Sequence, residues 1–453
     1  MGLGQVLARG RIVTPHGVVR GQVRAADGVI TAVESDDGRS PAGTPGPHGV
    51  IDAGESYIIP GAVDAHVHCL SSSHEGIEAT TRSALAGGVT TIVEMPYDHG
   101  NPITDAGRLR AKRAMAEQQA HADIALLATV QPVGGAPQVE GLVEAGAAGF
   151  KLSLFDTDPR RFPRVPDVEL LDVLSEITRC GSIACFHAEN EEIIKPLVER
   201  LRAEGRTQPL DHCASRPPIS ETEAVLKAAE FSLAMGCRAH FCHLSLARSV
   251  GIVSWYAEAG LDATAETCPH YLAFTAEDMT MAGSRLKINP PLRDLEDQEA
   301  LWDAVARGTV DVVASDHAPW PLSEKVLPNV FDNHSGVPGV ETLVPIVLGE
   351  GLARAIPIES LVSVLCTTPA RRFGLKGKGA IEPGYDADLV VFDPVRTSVV
   401  DGSRLHSNAG WSPYDGMKLQ GKITHVLSRG TVVFDGELHS EAGRGRILKP
   451  EVE

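Results

Sequence analysis

The chain has 453 residues, of which 43% are hydrophobic and 22% charged, values typical of globular proteins and unlike those of disordered, collagen-like or coiled-coil chains. At roughly 150 residues per domain, this length suits about three domains, or one large α/β barrel with a smaller companion. The 41 basic and 59 acidic residues give a formal net charge of −18, and such an acidic surface repels phosphate groups, so neither nucleic acid nor an anionic membrane is an expected partner.

The sequence has no segment that predicts membrane insertion or secretion. Its apolar runs are broken by Gly, Pro or charged residues well before the roughly 20 residues that a spanning helix needs. The first residues, MGLGQVLARGRIVTP, lack the charged, apolar and small-residue regions of a signal peptide. The 8 cysteines include no close CxxC pair, which favours reduced thiols over disulfides or a thiolate zinc site. We therefore expect a cytoplasmic protein.

Both ends of the chain predict β-strands. Residues 1–59 contain QVLARGRIV and GVVRGQVRAADGVITAVE, in which Val- and Ile-rich pieces alternate with Gly, Asp and Pro turns. The pattern returns in residues 376–453, in AIEPGYDADLVVFDP and GKITHVLSRGTVVFDGE. Because isolated strand pairs are only marginally stable, we expect the two ends to join in one small, β-sandwich-like domain.

Residues 60–375 predict an α/β fold. Apolar runs that suit buried strands, such as DIALLATV, SIACFHAE and TVDVVASD, alternate with helical patterns such as DVELLDVLSEITRC and EDQEALWDAVARG. This βαβα repetition implies a parallel sheet. About eight such units in roughly 300 residues fit a (βα)8 TIM barrel better than a doubly wound sheet.

Four of the predicted strands end next to residues that can bind metals. The first ends in DAHVH, and because alternate strand residues point to the same side, His66 and His68 can reach one ion. Later strands end next to His187, His243 and Asp316. The strand ends of a barrel converge on one mouth, so together these side chains predict a shared metal site. Taken singly, each is more simply explained as a hydrogen-bonded structural group.

Lys151 lies within the otherwise apolar run GFKLSLF. Burial favours its neutral amine, and a neutral amine can react with carbon dioxide to form a carbamate, an anionic group with two oxygens. Such a bridge can hold two cations roughly 3.5 to 4 Å apart, as in two-metal hydrolases. The alternative is a lysine that extends to the rim of the barrel or pairs with an acid.

The HVH pair, the strand lysine, the two later histidines and the aspartate of SDHAP, in this order, resemble the binuclear-metal cyclic amidohydrolases. This group of the amidohydrolase superfamily includes allantoinase, dihydropyrimidinase (hydantoinase) and dihydroorotase. The resemblance covers nearly the whole chain, from Pro60-Gly61 to the Ala387-Asp388-Leu389 and Ser412-Pro413-Tyr414 segments. It implies two divalent metal ions, with zinc expected and manganese, cobalt or iron as alternatives. It also implies assembly into homodimers or homotetramers.

The resemblance further implies a role for each candidate ligand. His66, His68 and Asp316 would bind the more buried ion, His187 and His243 would bind the more exposed ion, and a hydroxide and carbamylated Lys151 would bridge them. The hydroxide would attack the substrate carbonyl, and Asp316 would carry its proton to the leaving amide nitrogen. The implied reaction is the hydrolytic opening of a small cyclic amide or ureide.

The segments KINPPLR and GVPGVE are similar to the substrate-binding segments of the family. The similarity implies substrate contacts from Asn289 and from the backbone near Val337 and Pro338. The alternative for the first segment is that its double proline only shapes the seventh loop. Of the three subfamilies, allantoinase is the closest, through the segments ASRPPISETEA, ETCPHYL and NPPLRDLEDQ.

Three positions depart from the subfamily patterns. Cys69 follows the HVH pair where dihydroorotases carry an arginine that binds the substrate carboxylate, which disfavours that activity. Residues 70–75 read LSSSHE in place of the acidic-Pro-Gly-Arg stretch of allantoinases, and residues 154–157 lack the oxyanion-stabilising tyrosine of dihydropyrimidinases. We therefore expect the loop at 69–75 and the loop at 97–99 to be adapted to a different cyclic amide.

Several activities therefore stay open beside the allantoinase-like one. Dihydropyrimidinase, hydantoinase and cyclic imide hydrolase activities use the same chemistry on other rings. A non-catalytic scaffold is a further alternative, although all six ligand positions are filled here. A mononuclear deaminase on the same barrel is the last, and it would not need Lys151.

Overall fold

The computed structural model describes residues 5–36 and 50–450. Residues 1–4, 37–49 and 451–453, which the sequence analysis includes in the β-domain, lie outside the described residues. The strands, in chain order, are β1 Gln5–Thr14, β2 Gly17–Ala26, β3 Val29–Ser35, β4 Ile51–Pro60, β5 Ala62–Val67, β6 Val89–Glu94, β7 Asp123–Leu126, β8 Phe150–Ser153, β9 Ile183–His187, β10 Arg238–Phe241, β11 Ala263–Thr267, β12 Val312–Val313, β13 Leu389–Val399, β14 Lys418–Ser428, β15 Thr431–Phe434 and β16 Ile447–Leu448.

The helices fill most of the chain between the central strands. In chain order they are α1 Ile77–Ala86, α2 Ala106–Gln119, α3 Val139–Glu144, α4 Asp167–Arg179, α5 Glu191–Ala203, α6 Pro209–Ala214, α7 Pro218–Met235, α8 Ala247–Glu258, α9 Pro269–Ala273, α10 Met279–Ala282, α11 Leu295–Arg307, α12 Leu343–Ala353, α13 Ile358–Val362 and α14 Thr368–Arg372. Within the described ranges, none of the helices combines the length and the apolar character needed to cross a bilayer.

Strands from both ends of the chain form one seven-stranded sheet, in the order β15-β14-β13-β4-β1-β2-β3. Strand β4 is the link, because it pairs in parallel with β1 and antiparallel with β13. Apolar residues of these strands, among them Ile12, Ile58 and Leu389, are buried in one shared core. The two ends therefore join in one β-domain, as the turn-rich patterns predict.

The middle of the chain forms a closed parallel barrel. Strands β5, β6 and β7 pair in order, and β8 to β12 form a second parallel run. Parallel bridges between Ala128 and Phe150 and between Val67 and His317 close the ring between the two runs. Every residue of β5, β6 and β9 is buried, because the strands pack against helices outside and against each other's side chains inside.

The last strand of the described chain joins the barrel. Strand β16 pairs in parallel with β7, with Ile447 opposite Ile124, beside the edge where β7 approaches β8. The domain limits of the sequence analysis stay a prediction, and this pairing adds that residues 447 and 448 belong to the barrel sheet rather than to the seven-stranded sheet.

A buried lysine connects the β-domain to the barrel. The Nζ of Lys378 lies 2.6 Å from Asp123, 2.8 Å from Asp386 and 2.7 Å from Asp388. Burial alone would lower the pKa of Lys378, but attraction to the three carboxylates raises it above its usual value. Because Asp123 begins β7 and Asp388 directly precedes β13, this charged contact fixes the β-domain against the barrel.

Candidate metal centre

The barrel brings the six candidate ligands to the mouth at the carboxyl ends of its strands. His66 lies in β5 with His68 just after it, Lys151 lies in β8, His187 ends β9, and His243 and Asp316 follow β10 and β12. All six side chains are buried. This is the face on which barrel enzymes place their catalytic groups.

Three of these residues form one compact cluster. Oδ1 of Asp316 lies 3.3 Å from Nε2 of His66 and 3.5 Å from Nε2 of His68. Ligand atoms of a tetrahedral zinc ion lie about 2.0 to 2.1 Å from the metal, and hence roughly 3.3 Å from one another. The spacing of the three side chains therefore fits a single divalent ion.

The other three residues lie directly beside this cluster. Nδ1 of His187 lies 3.0 Å from Nε2 of His243, again close to the separation of two ligands of one ion. The rings of His243 and His66 have centroids 5.2 Å apart, and Nζ of Lys151 lies 3.4 Å from Nε2 of His66. Lys151 is thus close to the boundary between the two groups, where a bridging ligand would have to be.

In three of the four histidines, a polar neighbour contacts the ring nitrogen that faces away from the cluster. Glu266 accepts a hydrogen bond at 2.8 Å from Nδ1 of His66, and Oγ of Ser71 lies 2.9 Å from Nδ1 of His68. Glu189 lies 2.9 Å from Nε2 of His187. Such contacts fix the tautomer and the orientation of an imidazole, so that its other nitrogen stays available as a ligand.

The protonation states also suit metal binding. Burial lowers the pKa of His68 to about 3 and also lowers the pKa of His187 and His243, so these rings are neutral at physiological pH. Burial by itself would raise the pKa of Asp316, but attraction to His66 and His68 brings it to about 2. Neutral imidazoles beside an ionised carboxylate are the donor set that zinc and similar ions prefer.

Two of the candidate ligands have unusual backbone conformations. His243 has φ of 42° and Asp316 has φ of 45°, in the left-handed region that non-glycine residues rarely adopt. Each such residue costs about 1 to 3 kcal/mol unless the surroundings compensate for it. In addition, Nδ1 of His243 is buried and has no hydrogen-bond partner among the described residues. The strained backbone at these two positions is consistent with residues placed for binding rather than for stability.

Five of the six candidate ligands, all except Lys151, line a pocket, which we call the site pocket. It is lined by His66, His68, Ser71, Thr157, Arg161, Phe162, His187, His243, Asn289, Asp316, Ala318, Trp320, Ser335 and Gly336. Asn289 is therefore placed where a substrate contact requires it. Val337 and Pro338 are buried and do not belong to the lining, and the carbonyl of Val337 accepts a hydrogen bond from the N–H of Ala318. Their contact with substrate stays a prediction.

The two loops expected to be adapted to the substrate also hold the site together. Tyr97 donates a hydrogen bond at 2.9 Å to the carbonyl of Lys151 and stacks on Phe162 with ring centroids 3.5 Å apart. In the first loop, Glu75 lies 3.5 Å from His317, the residue after Asp316. These loops therefore position Lys151 and Asp316 as well as shaping the pocket.

Glu266 is the most important site residue that the sequence patterns do not indicate. Glu266 lies in β11. Its Oε1, which contacts His66, also accepts a hydrogen bond at 2.9 Å from the backbone N–H of His243. Its Oε2 accepts a hydrogen bond at 3.0 Å from Nε2 of His240. Burial would raise the pKa of Glu266, but attraction to His66 and hydrogen bonds from His240 and His66 lower it below its usual value. A fully buried carboxylate therefore contacts two candidate ligands at once.

We expect Glu266→Gln to weaken metal binding about 10- to 100-fold, the usual effect of losing a partner that orients a histidine ligand. The amide has no negative charge and cannot accept hydrogen bonds through both of its ends. Competition with a chromophoric chelator measures the change. Glu258→Gln, at the exposed end of α8, is the matched control. Equal metal affinity of the two variants would contradict the role given to Glu266.

Comparison with known proteins agrees with this geometry. Residues 57–433 match the model of the amidohydrolase family. An allantoinase from Rubrobacter xylanophilus is 38% identical, over 99% of this chain and 98% of the relative. An L-hydantoinase from Paenarthrobacter aurescens is 34% identical, over 97% of this chain and 96% of the relative. The solved structure of an L-hydantoinase (dihydropyrimidinase) from Arthrobacter aurescens superimposes with a TM-score of 0.93 at 33% identity, over 99% of this chain and 100% of that one.

These relatives match the chain along almost its entire length, and the superposition includes both the barrel and the β-domain. They confirm the fold class and the resemblance that the sequence motifs indicate. The chain belongs to the amidohydrolase family.

Proposed function

We propose that this protein hydrolyses the ring of a small cyclic ureide, with allantoin and hydantoins as the first candidates. It is a hydrolase that acts on the C–N bonds of cyclic amides, as the allantoinase and hydantoinase relatives indicate. The observation that carries the proposal is that six buried candidate ligands lie close together at the mouth of one barrel. All six positions are filled, which argues against a non-catalytic scaffold.

We assign two divalent ions, with zinc expected, to these residues. His66, His68 and Asp316 would hold one ion, His187 and His243 the other, and Lys151 would bridge them as a carbamate derived from carbon dioxide. The 3.3 to 3.5 Å spacing around Asp316 and the position of Lys151 beside His66 support this assignment. When bound, the ions supply Lewis acidity, which polarises a carbonyl and makes water nucleophilic at neutral pH.

The protein side chains then control the proton and the substrate. Asp316 is ionised at neutral pH, so one of its Oδ atoms can accept a proton and later donate it to the departing amide nitrogen. Asn289 lines the pocket with its amide oxygen 3.1 Å from Oγ of Ser335, a position from which it can bind the ring amide. Phe162 and Trp320 enclose the same pocket with apolar surface, which reduces the access of bulk water.

A substrate panel tests the proposed function. The metal-loaded protein, supplied with bicarbonate, is assayed for ring opening of allantoin, hydantoins, dihydrouracil, dihydroorotate and cyclic imides. We expect turnover of allantoin or a hydantoin, its loss on treatment with a strong chelator, and its recovery on addition of a divalent metal. Inactivity across the whole panel in a metal-loaded preparation would contradict the proposal. Turnover of dihydrouracil or of cyclic imides alone would favour the alternative substrates.

We also propose that the protein works as a homodimer or homotetramer in the cytoplasm. The resemblance to the cyclic amidohydrolases supports the assembly, and the 8 free cysteines, most of them buried, support a reducing compartment. Light scattering coupled to size exclusion measures the assembly directly.

A further inference from the structure

The site pocket continues into a second cavity, which we call the side compartment. It has a volume of about 540 Å³ and shares five lining residues with the site pocket: Thr157, Arg161, Asn289, Trp320 and Ser335. Beyond them it extends past Phe155, Lys195, Arg202 and Phe331. A ring held at the candidate metal centre would therefore have room for a substituent on the side of these shared residues.

Arg161 is a half-buried cation at the junction of the two cavities. Its side chain is only 13% exposed and packs over the ring of Trp320, at 5.5 Å from the ring centroid. Among the described residues, its guanidinium donates a single hydrogen bond, to the carbonyl of Tyr97 at 3.2 Å. The nearest carboxylate, that of Asp158, is 4.0 Å away and accepts the backbone N–H groups of Arg160 and Arg161. Most of the donor capacity of Arg161 is therefore available to a ligand.

The neighbouring cations of the side compartment are already neutralised. Arg202 lies 2.8 Å from Asp332, Lys195 lies 2.8 Å from Asp156, and Arg216 lies 2.5 Å from Glu189. Lys287 has no acidic partner within residues 5–36 and 50–450, but burial lowers its pKa to about 7, so it is only partly charged at neutral pH. Arg161 is thus the permanent charge of this compartment that lacks a close acidic partner among the described residues.

Thr157 supplies a second unused polar group at the same junction. Its hydroxyl oxygen is buried and has no hydrogen-bond partner among the described residues. Leaving such a group unpaired costs about 1 to 3 kcal/mol, so a ligand that pairs with it gains a comparable amount. Thr157 and Arg161 are four residues apart, in the segment that follows β8, and both line the two cavities.

We propose that the ring of the substrate carries a substituent that ends in a planar group with an acceptor oxygen, a carboxylate or a ureido group, and that Arg161 and Thr157 bind it. The N–H donors of a guanidinium can pair with the two oxygens of a carboxylate or converge on the single carbonyl oxygen of a ureido group, and such contacts are strong where water is excluded. A substrate that lacks the acceptor leaves Arg161 and Thr157 unpaired, which is how a polar site discriminates against analogues. The inference rests on the proposed function and specifies its substrate class.

Three substrates, two variants and one control variant test the proposal. Allantoin carries a ureido group, carboxymethyl hydantoin carries a carboxylate, and propyl hydantoin carries neither. We expect Arg161→Gln to lower kcat/KM for one or both acceptor substrates, relative to propyl hydantoin, by about 10- to 100-fold, the effect of one charged hydrogen-bonding group. Thr157→Val, which keeps the shape of the side chain, should also lower kcat/KM for the acceptor substrates relative to propyl hydantoin, but by a smaller factor. Arg160→Gln, one residue away and exposed, is the control that should leave it unchanged.

The outcomes distinguish a carboxylate from a ureido group, and they distinguish failure of this inference from failure of the proposed function. A fall for carboxymethyl hydantoin alone identifies a carboxylate, and a fall for allantoin alone identifies a ureido group. Equal loss for all three substrates, or no loss for any, overturns the role of Arg161. If Arg161→Gln does not fold, the same comparison is made with Thr157→Val: its kcat/KM for the acceptor substrates, relative to that for propyl hydantoin, decides between the same outcomes. If the wild-type protein turns over propyl hydantoin but neither acceptor substrate, only this inference fails, whereas inactivity on all three contradicts the proposed function as well.

Discussion

Replacing Lys151 with alanine is expected to lower kcat/KM at least about a thousandfold, because two-metal sites contribute several kcal/mol to transition-state stabilisation. Lys151 is fully buried in β8, and its Nζ lies 3.4 Å from His66, at the boundary between the two groups of candidate ligands. Without it, no side chain of the protein would bridge the two proposed ions. The measurements are steady-state kinetics and the metal content of the purified variant, which should fall below that of the wild type.

Lys227→Ala on α7 is the matched control, since Lys227 forms a surface ion pair at 3.4 Å with Asp167. Mass spectrometry of the native wild-type protein should detect the added mass of one carbon dioxide, which is lost in Lys151→Ala and after exposure to acid. Small carboxylic acids that fit the vacated space should restore part of the activity of the variant. Full activity of Lys151→Ala would exclude the binuclear mechanism and favour a mononuclear deaminase.

Asp316→Asn is expected to lower kcat about 10²- to 10⁴-fold, the usual contribution of a positioned acid-base group. The carboxylate has a pKa of about 2, so it is ionised in the neutral range and can accept a proton, which an amide cannot. Asparagine also tolerates the left-handed conformation at this position, where φ is 45°, better than alanine does. The substitution therefore tests the proton transfer with little disturbance of the backbone. Substrate saturation curves, together with metal analysis, give kcat at known occupancy.

Asp303→Asn, at an exposed position of α11, removes the same charge far from the pocket and should keep full activity. If the kcat of Asp316→Asn equals that of Asp303→Asn at full metal content, another group must carry the proton. A loss of kcat that metal addition does not reverse would separate proton transfer from metal binding.

The grouping of the six candidate ligands at one mouth could be predicted because each of them stands in a simple sequence context. His187, His243 and Asp316 directly follow short apolar runs, and a barrel aligns the ends of such runs on one side. Lys151 is conspicuous as a charge within an apolar strand, whose residues are all buried. The barrel itself follows from the alternation of helical and strand patterns, which is a local property of the sequence.

The residues that escaped prediction depend on contacts between distant segments. Glu266 lies in ATAET, where an acid in an alternating strand predicts a solvent-facing position, yet it is buried because His66 and His240 accompany it. Arg161 and Trp320 come from loops 159 positions apart in the sequence, and their contact has no periodic signal. In the loop after Asp316, the contacts that the resemblance implies from the backbone near Val337 and Pro338 stay a prediction, and Gly336, the residue before Val337, lines the pocket.

Strand β16 has a consequence for the order in which the protein can mature on the ribosome. It pairs with β7, and the backbone N–H of Ile124 donates to the carbonyl of Arg446 at 2.9 Å. While translation proceeds, this stretch of the barrel wall has an uncovered edge, although the segments that carry all six candidate ligands have already emerged. At the catalytic mouth the wall is already closed by the pairing of Ala128 with Phe150, so the edge that stays open until β16 is made is that of the first residues of β7. In that interval the open edge is a site for chaperones or for faulty pairing between neighbouring chains.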